Sequence, residues 1–331
     1  MSKKLLITGS SGFIGGFLVE EALSRSYQVY AGIRSTSSKQ YLTDPRIQFL
    51  EMDFTDHDLL REQLTHHKFD YIIHNAGITK TKKLDTYMEI NAGYLKTFVQ
   101  ILQEEKIAPQ NFVYISSIAA RGPADYTTSG MVDNTTPPQP VTNYGRSKLA
   151  GEEFLFKHTG NFPFTIIRPT VVYGPREKDL YTVFDLVSKG LEMYVGSQKQ
   201  SLTFIHVTDL VGVIIDALET TRKQAAYFVA DGDVHSSEDL NGFIKKALGK
   251  KTIKLKLPLS LISLIATISE GFGNIVGNYP PLNRDKVNEL KCQSWVIDTS
   301  LIQEDFNFAP RFRLKDGIED TVKWYSKNNW L

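Results

Sequence analysis

The stretch KKLLITGSSGFIGG (Lys3–Gly16) joins a short apolar run to four glycines within eight residues. Gly9, Gly12 and Gly15 form G-x-x-G-x-x-G where a strand would turn into a helix, with Phe13 and Ile14 between the last two glycines. Without side chains, the backbone can turn sharply and approach a pyrophosphate, and the amides at a helix start favour its negative charge. A tight strand–helix turn also needs glycine, but this context predicts dinucleotide binding.

Short apolar runs alternate with amphipathic stretches through the first half of the chain. Runs that are continuously apolar and separated by helices indicate a parallel sheet covered on both faces. The fold class predicted is therefore α/β, a doubly wound parallel (Rossmann) sheet with a smaller, discontinuous C-terminal substrate domain. Predicted strands are Leu5–Thr8, Val29–Gly32, Ile47–Met52, Tyr71–Ala76, Phe112–Ser116 and Phe164–Thr170. Predicted helices are Gly15–Ser24, Asp58–Thr65, Asn91–Glu105 and Tyr144–His158.

Composition places the protein among ordinary globular chains. It has 331 residues, 41% of them apolar and 23% charged, and a net charge of +1. Nothing in that balance calls for a nucleic-acid partner. The single Cys292 excludes an internal disulfide framework and suits a reducing compartment, so a cytoplasmic location is expected, with no signal peptide and no transmembrane segment.

Metal and hydrolase chemistry find no support in the sequence. The histidines lack metal-ligand spacing and one cysteine cannot build a zinc site, so no metal is expected. His74 and His206 lie inside apolar runs and are interpreted as core histidines. No G-x-S-x-G elbow is present.

The residues after the second predicted strand bear on the choice of dinucleotide. NAD-binding proteins usually carry Asp or Glu there for the ribose hydroxyls, and no acidic residue lies between Glu21 and Asp44. Arg34 and Lys39 could instead hold a 2′-phosphate by charge-assisted hydrogen bonds. NADP is therefore favoured as the cofactor, with NAD and a simple solvated basic loop left open.

Six motifs, in order, resemble the extended short-chain dehydrogenase/reductases, the group of NAD-dependent epimerases and dehydratases. They are TGSSGFIGG (8–16), HNAG (74–77), ISS (115–117), YGRSK (144–148), RPTVVYGP (168–175) and FIHVTD (204–209). The resemblance covers nearly the full length. It implies an oxidoreductase-type site and a homodimer. Arg34 and the C-terminal segment resemble the dihydroflavonol reductase and 3β-hydroxysteroid dehydrogenase branch.

Tyr144 and Lys148 are the predicted centre of the chemistry. Four residues apart, they share one face of a helix. We expect the Lys148 ammonium and an oxidised nicotinamide to lower the pKa of the Tyr144 phenol, so that it serves as general acid or base. By resemblance, Ser117 holds the substrate oxygen, with Ser116 as the weaker candidate, and Asn91 positions the lysine through water.

Further cofactor contacts follow from the resemblance alone. Asp53, with Phe54 beside it, resembles the family's adenine contact, although helix capping is an alternative. Asn75, Ala76 and Gly77 shape the pocket beside the adenine-ribose. The segment Arg168–Pro169 leads toward the substrate region, and a purely structural role is weighed equally.

The sequence is compatible with three functions. The first is an NADP-dependent dehydrogenase or reductase of a secondary alcohol or ketone, and a lipophilic substrate is considered for it. The second is a sugar-nucleotide epimerase retaining NAD, with diphosphate clamps among Arg176, Arg284, Arg311 and Arg313. The third is a non-catalytic dinucleotide-binding module. Ile118 and Ala119 stand where the family's dehydratases carry an Asp-Glu pair, so dehydration is disfavoured.

The region around Leu257–Ile268 is the most apolar of the chain. It either lines a pocket for a lipophilic substrate or packs in the core of the smaller domain, and core packing is favoured. Six lysines lie just before it, between Lys245 and Lys256. A solvated face is preferred over contact with an anionic membrane, so peripheral membrane contact is not expected.

The domain boundary is expected to be discontinuous. Residues 1–172 and about 203–232 form the predicted dinucleotide domain, and about 173–202 with 233–331 the substrate domain. The segment Gly122–Asn143 would be a loop covering the site.

Overall fold

A seven-stranded parallel sheet forms the centre of the molecule, in a computed structural model that describes residues 2–81, 83–124, 130–196, 199–276 and 283–331. Its strand order is β12-β7-β5-β4-β1-β2-β3. The strands of this sheet are β1 (Lys4–Thr8), β2 (Gln28–Ile33), β3 (Gln48–Glu51), β4 (Tyr71–His74), β5 (Asn111–Ile115), β7 (Phe164–Pro169) and β12 (Ala225–Val229). The predicted doubly wound α/β fold is thereby confirmed.

Shorter strands build three small sheets beside the main one, in the orders β10-β14-β6, β11-β8 and β13-β9. These strands are β6 (Met131–Val132), β8 (Val171–Tyr173), β9 (Leu191–Val195), β10 (Ser201–Leu202), β11 (Phe204–His206), β13 (Ile253–Leu257) and β14 (Ser294–Ile297). The proposed division into two domains stays a prediction.

Helices flank the main sheet and complete the C-terminal part. They are α1 (Phe13–Ser24), α2 (His57–His67), α3 (Leu84–Met88), α4 (Tyr94–Glu104), α5 (Asn143–His158), α6 (Tyr181–Ser188), α7 (Val207–Asp216), α8 (Ser237–Leu248), α9 (Leu259–Val276), α10 (Arg284–Lys291), α11 (Ser300–Phe306) and α12 (Leu314–Lys327). Two hydrophobic clusters cover the two faces of the sheet, one centred on α1 and α7 and the other on α4 and α5.

The six predicted strands are all present, and their bounds differ by at most two residues. The predicted helix Asn91–Glu105 is found as the last residues of a π-helical turn at Glu89–Gly93 followed by α4, and α3 precedes that turn. A π-turn widens the helix by one residue and is often found at functional sites, a feature that periodicity cannot predict. The predicted loop Gly122–Asn143 contains the short β6, and its residues 125–129 lie outside the described residues.

The strand order reverses between β1 and β4, and this reversal sets where a ligand can bind. From β1 the chain builds outward to β2 and β3, and it then returns to build β4, β5, β7 and β12 on the other side. Thr8 at the end of β1 pairs with Gly32 on one side and His74 on the other. The loops after these strands therefore meet at one edge, in the crevice where doubly wound sheets bind ligands.

Candidate active site

The glycine turn after β1 has a geometry that only glycine fits. Gly9 has φ +67°, and a Cβ there would stand 2.9 Å from the Ala76 backbone. At Gly15, on the first turn of α1, a Cβ would stand 2.2 Å from the Gly9 carbonyl oxygen. Gly12 caps α1 with no side chain over the helix start, and the partly buried Phe13 and Ile14 begin it. The exposed amide end of α1 therefore fits a pyrophosphate, as predicted from the motif.

The loop after β4 is fastened to this glycine turn. Thr8 Oγ1 accepts hydrogen bonds from the backbone N–H groups of Asn75 (3.2 Å) and Ala76 (3.0 Å). The Asn75 side-chain amide donates to the Gly9 carbonyl at 3.3 Å. Because the two loops share these bonds, a ligand that contacts one of them meets both in a fixed arrangement.

His74 lies directly beneath this loop and is fully buried. Its Nδ1 is 3.2 Å from Thr8 Oγ1. Burial, aided by the charge of Lys148, lowers the pKa of His74 to about 3, so the imidazole is neutral at physiological pH. A neutral ring packed among Phe54, Phe98 and Phe112 agrees with the predicted core histidine.

Helix α5 carries Tyr144 in its first turn. Thr142 caps the helix, its Oγ1 accepting from the Gly145 N–H at 2.9 Å. The Ser147 hydroxyl donates to the Tyr144 carbonyl at 2.7 Å and accepts from the Asn91 side-chain amide. These two hydrogen bonds connect the first turn of α5 to the π-turn. Neither Thr142 nor Ser147 was predicted, and only the S/T-rich context of a helix start could have indicated the cap.

Ser117 lies beside Tyr144, close enough for its hydroxyl to influence the pKa of the phenol. Ser117 follows β5 and begins the short 3₁₀ turn Ile118–Ala120, where its Oγ accepts from the Ala119 N–H at 3.1 Å. Burial raises the pKa of Tyr144 to about 12, and the Ser117 hydroxyl acts in the opposite direction. Lys148, which was expected to lower the pKa of this phenol, is not among the groups that shift it.

Lys148 is buried one turn further along α5. Its Nζ donates to the Ile115 carbonyl at 2.8 Å and lies 5.0 Å from the centre of the Tyr114 ring. Burial lowers the pKa of Lys148 to about 8, while the charge of Glu152 raises it. A lysine held this way shares the helix face of Tyr144 and delivers a positive charge into an otherwise apolar setting.

Asn91 lies in the π-turn between α3 and α4 and is fully buried. Its side chain pairs with the backbone of Ile78, accepting from N–H at 2.8 Å and donating to C=O at 3.0 Å. A Cβ at Gly77 would stand 2.9 Å from Asn91 Oδ1 and 3.3 Å from Lys148 Nζ. The absence of a side chain at Gly77 therefore leaves the space in which the asparagine and lysine meet.

Three predicted contacts to the adenosine end, Arg34, Lys39 and Asp53, follow β2 and β3 and are exposed. Arg34 and Asp53 both act on the pKa of Tyr94, which places these two side chains close to Tyr94. Asp53 accepts from the Thr55 N–H at 2.8 Å and does not cap α2. Asp56 is the cap, so the capping alternative for Asp53 is wrong.

Phe54 is buried and stacks on Tyr94, with 5.1 Å between ring centres. Lys39 Nζ lies over the Phe49 ring.

Arg168, considered above as part of a segment leading to the substrate, is instead a buried structural residue. Its guanidinium pairs with Glu152, with 2.7 Å between Nη2 and Oε2, and both side chains are almost fully buried. Ser116 donates to the same carboxylate, which leaves Ser117 as the serine that reaches Tyr144. Pro169 ends β7 and is buried beside this pair.

One wall of the site comes from a distant part of the chain. Asp285 on α10 accepts from the Asn143 N–H at 3.0 Å, and the charge of Glu289 raises the pKa of Tyr144. The Tyr87 ring lies 6.4 Å from the Tyr144 ring. No sequence signal links these residues to Tyr144, because the contact from α10 spans more than a hundred residues of chain.

A family model covers residues 5–230, and it describes the NAD dependent epimerase/dehydratase family. The chain therefore belongs to this family, whose members are NAD-dependent enzymes, in agreement with the resemblance found in the motifs. The UDP-glucose 4-epimerase of Vibrio cholerae is 27% identical, with 99% of this chain and 97% of that protein aligned.

Relatives with other activities align over similar lengths. The ceramide reductase of Caulobacter vibrioides is 23% identical over 98% of this chain and 95% of its own. Among solved structures, the UDP-glucose 4-epimerase of Thermus thermophilus in complex with NAD superposes with a TM-score of 0.78, at 18% identity, over 98% of this chain and 99% of that one. At this identity the superposition establishes the shared fold.

Proposed function

We propose that the protein transfers hydride between a nicotinamide dinucleotide and the carbon of a secondary alcohol or ketone. The observation that carries this is the position of Ser117 beside the Tyr144 phenol, with the Lys148 ammonium buried on the same face of α5. A scaffold that only binds nucleotide has no use for such a set, which argues against the non-catalytic alternative.

Each of the three side chains has a separate task in this proposal. Tyr144 takes the hydroxyl proton when the alcohol is oxidised and returns it when the ketone is reduced. Ser117 donates a hydrogen bond to the substrate oxygen and steadies its developing charge. Lys148 does not set the pKa of the resting phenol, and its positive charge would act on the phenolate that forms during turnover. Asn91, through Ile78 and Ser147, keeps α5 in register with the loop after β4.

A nicotinamide dinucleotide, when bound, supplies the site with its hydride donor or acceptor. Its pyrophosphate would lie over Gly9, Gly12 and Gly15, because the amide end of α1 is open there. Asn75, Ala76 and Gly77 would border the ribose. The predicted contacts Phe13, Ile14, Phe54 and Pro169 would enclose the cofactor by packing.

NADP is the cofactor we propose. Arg34 is exposed after β2, where a carboxylate would be needed to select NAD, and Asp53 is engaged with Thr55. A guanidinium at this place can pair with a 2′-phosphate in the bidentate manner that arginine favours.

A sugar-nucleotide epimerase is the second candidate, and the relatives favour it. The UDP-glucose 4-epimerases named above align over the full chain, and one binds NAD. Against it, arginines considered as diphosphate clamps are occupied within the chain. Arg176 pairs with Glu20, Arg311 with Asp209, and Arg313 with Asp233 and the Asp231 carbonyl.

Nucleotide analysis separates the two candidates. The purified protein is denatured, the released nucleotide identified, and the apoprotein titrated with NADP and NAD. A reductase should bind NADP reversibly and consume NADPH with a panel of cyclic and long-chain ketones. Tightly retained NAD, with interconversion of UDP-sugars and no net absorbance change, would instead establish the epimerase. Nucleotide binding without turnover in either assay would refute both.

A further inference from the structure

Half of the large apolar side chains that stand exposed in the described chain belong to three neighbouring elements. Of fourteen such side chains, seven lie on β9, β13 and α9. They are Met193, Ile253, Leu255, Leu261, Leu264, Ile265 and Ile268. We call this set the β13–α9 face. Scattered exposed apolar residues are ordinary, but a concentration of this kind marks a binding surface.

The two strands present one apolar side outward. In the parallel pairing, Ile253 lies beside Leu191, Leu255 beside Met193 and Leu257 beside Val195, and paired residues point to the same side of the sheet. Ile253 is 68% exposed. On the opposite side, Glu192 and Tyr194 are buried, and Glu192 accepts from Lys245 on α8 at 2.8 Å. The apolar side of β13 is thus open, and on the opposite side the buried residues belong to β9.

Helix α9 continues this surface. Its buried residues Ile262 and Ala266 pack with Val195 and Leu257, which joins the helix to the open side of the sheet. The outward positions Leu264 and Ile268 are 56% and 49% exposed. Because i and i+4 positions lie on one stripe, these two side chains form an apolar ridge beside the strands. A helix of a water-soluble domain would normally place polar residues here.

The charged residues of β13 and of the segment just before it are all lysines. From Leu240 to Ser269 the chain carries six lysines and no aspartate or glutamate. Lys250 and Lys251, just before β13, are exposed, whereas Lys254 and Lys256 on β13 are exposed on the side of the sheet that carries Glu192 and Tyr194. A second copy of the chain on this face would bring lysine against lysine, which disfavours self-association. An apolar surface bordered by lysine matches the interface of an anionic bilayer.

We propose that the β13–α9 face docks the protein on anionic lipid surfaces, with the apolar side chains at the acyl boundary and the lysines among the headgroups. The sequence-based expectation was a solvated basic face. The proposal differs from it because the sequence alone does not show which apolar side chains are exposed beside the lysines. The described helices include none long and apolar enough to cross a bilayer. The docking would be peripheral.

The face is separated from the candidate active site by a single helix. Val287 and Leu290 of α10 pack with Ile262 of α9, and Asp285 of the same helix accepts from the N–H of Asn143 beside Tyr144. This arrangement brings a bilayer-borne substrate close to the site. Docking itself is measured without turnover, so it can fail or succeed independently of the proposed reaction.

Vesicle sedimentation with the purified full chain tests the proposal. Phosphatidylcholine vesicles with and without phosphatidylglycerol are compared at low and high salt. We expect binding to be at least about tenfold stronger with phosphatidylglycerol and to weaken in high salt, because screening reduces the attraction of the lysines. Wild-type protein that stays in the supernatant with both vesicles would overturn the proposal.

Matched variants locate the surface. Leu264→Glu with Ile268→Glu, and separately Lys250→Glu with Lys251→Glu, should each reduce vesicle binding by about tenfold or more. The controls are Leu59→Glu, an exposed leucine on α2, and Lys223→Glu, and they should leave binding unchanged. Circular dichroism and nucleotide binding confirm that each variant is folded.

Two results would contradict the assignment. Equal losses in the face variants and the controls would mean that binding is not localised here. A concentration-dependent change in mass that Leu264→Glu abolishes, without vesicle binding, would make the face an interface between copies.

Discussion

The charge of the buried Glu152 carboxylate acts on two buried cations, the guanidinium of Arg168 and the ammonium of Lys148. Glu152 pairs with Arg168 at 2.7 Å, and its charge raises the pKa of Lys148. Removing one partner of a buried pair leaves the other charge uncompensated, at a cost of about 3–5 kcal/mol. The carboxylate therefore supports both the fold at β7 and the protonated state of the lysine.

Glu152→Gln is expected to lower the free energy of unfolding by about 3 kcal/mol, because Arg168 stays buried without its counter-charge. Urea denaturation measures the loss. The double variant Glu152→Gln with Arg168→Met should recover a large part of it, since the isolated charge is gone. A single variant within about 1 kcal/mol of wild type would show that the pair is dispensable.

Tyr144→Phe should reduce kcat about a thousandfold while cofactor affinity is retained, because the substitution removes the only proton carried by the phenol. Stopped-flow measurement of nicotinamide absorbance follows the rate. Tyr87→Phe is the matched control, since its buried ring lies beside Tyr144 but its hydroxyl donates to the Thr79 carbonyl. Turnover that survives in Tyr144→Phe would assign the proton transfer to another group.

Arg34→Ala should weaken NADP binding about 10–100-fold and leave NAD binding nearly unchanged, because hydrogen bonds to a charged group contribute about 1.5–3 kcal/mol. Calorimetric titration with both nucleotides gives the two affinities. The control is Arg46→Ala, an exposed arginine of the same loop that pairs with Asp44. Equal losses for NADP and NAD would refute the role of Arg34 in recognising the 2′-phosphate.

Gly9→Ala should abolish dinucleotide binding and destabilise the chain more than Gly160→Ala. Both glycines have positive φ, so each substitution meets a backbone cost of roughly 1–2 kcal/mol. Only at Gly9 would the new methyl group also press on backbone, at 2.9 Å from Ala76, whereas nothing lies within 4 Å at Gly160. Equal effects of the two substitutions on thermal unfolding and nucleotide binding would show that this close approach is unimportant.

Asp231→Asn should become more stable relative to wild type as the pH rises from about 4 to 7.5. Burial raises the pKa of Asp231 to about 6, and its Oδ2 has no hydrogen-bond partner among the described residues. A carboxyl whose folded pKa exceeds its unfolded value loses stability as pH rises between the two values, here by about 2 kcal/mol.

Unfolding free energies of wild type and Asp231→Asn, measured at both ends of this pH range, test the prediction. Asp233→Asn serves as a control that keeps the buried carboxyl. A difference between wild type and Asp231→Asn that does not vary with pH would place the titration elsewhere.

The sequence by itself determined the class of fold and the residues of the glycine turn. A continuously apolar strand, a G-x-x-G-x-x-G turn and a helix are local patterns, which can be recognised from consecutive residues alone. The same holds for Tyr144 and Lys148, which share a face because the helical repeat requires it. Their proposed roles rest on the family resemblance.

Tertiary structure decided the rest, since burial and long-range contacts depend on how distant segments meet. Arg168, considered from the sequence as part of a segment leading to the substrate, pairs with Glu152 in the fold. Burial raises the pKa of Tyr144, where the sequence predicted a lowered pKa. Tertiary structure brought α10 beside Asn143 from the far end of the chain. It also left Leu264 and Ile268 on the surface, where the sequence favoured a core, because no described element packs over them closely enough to bury them.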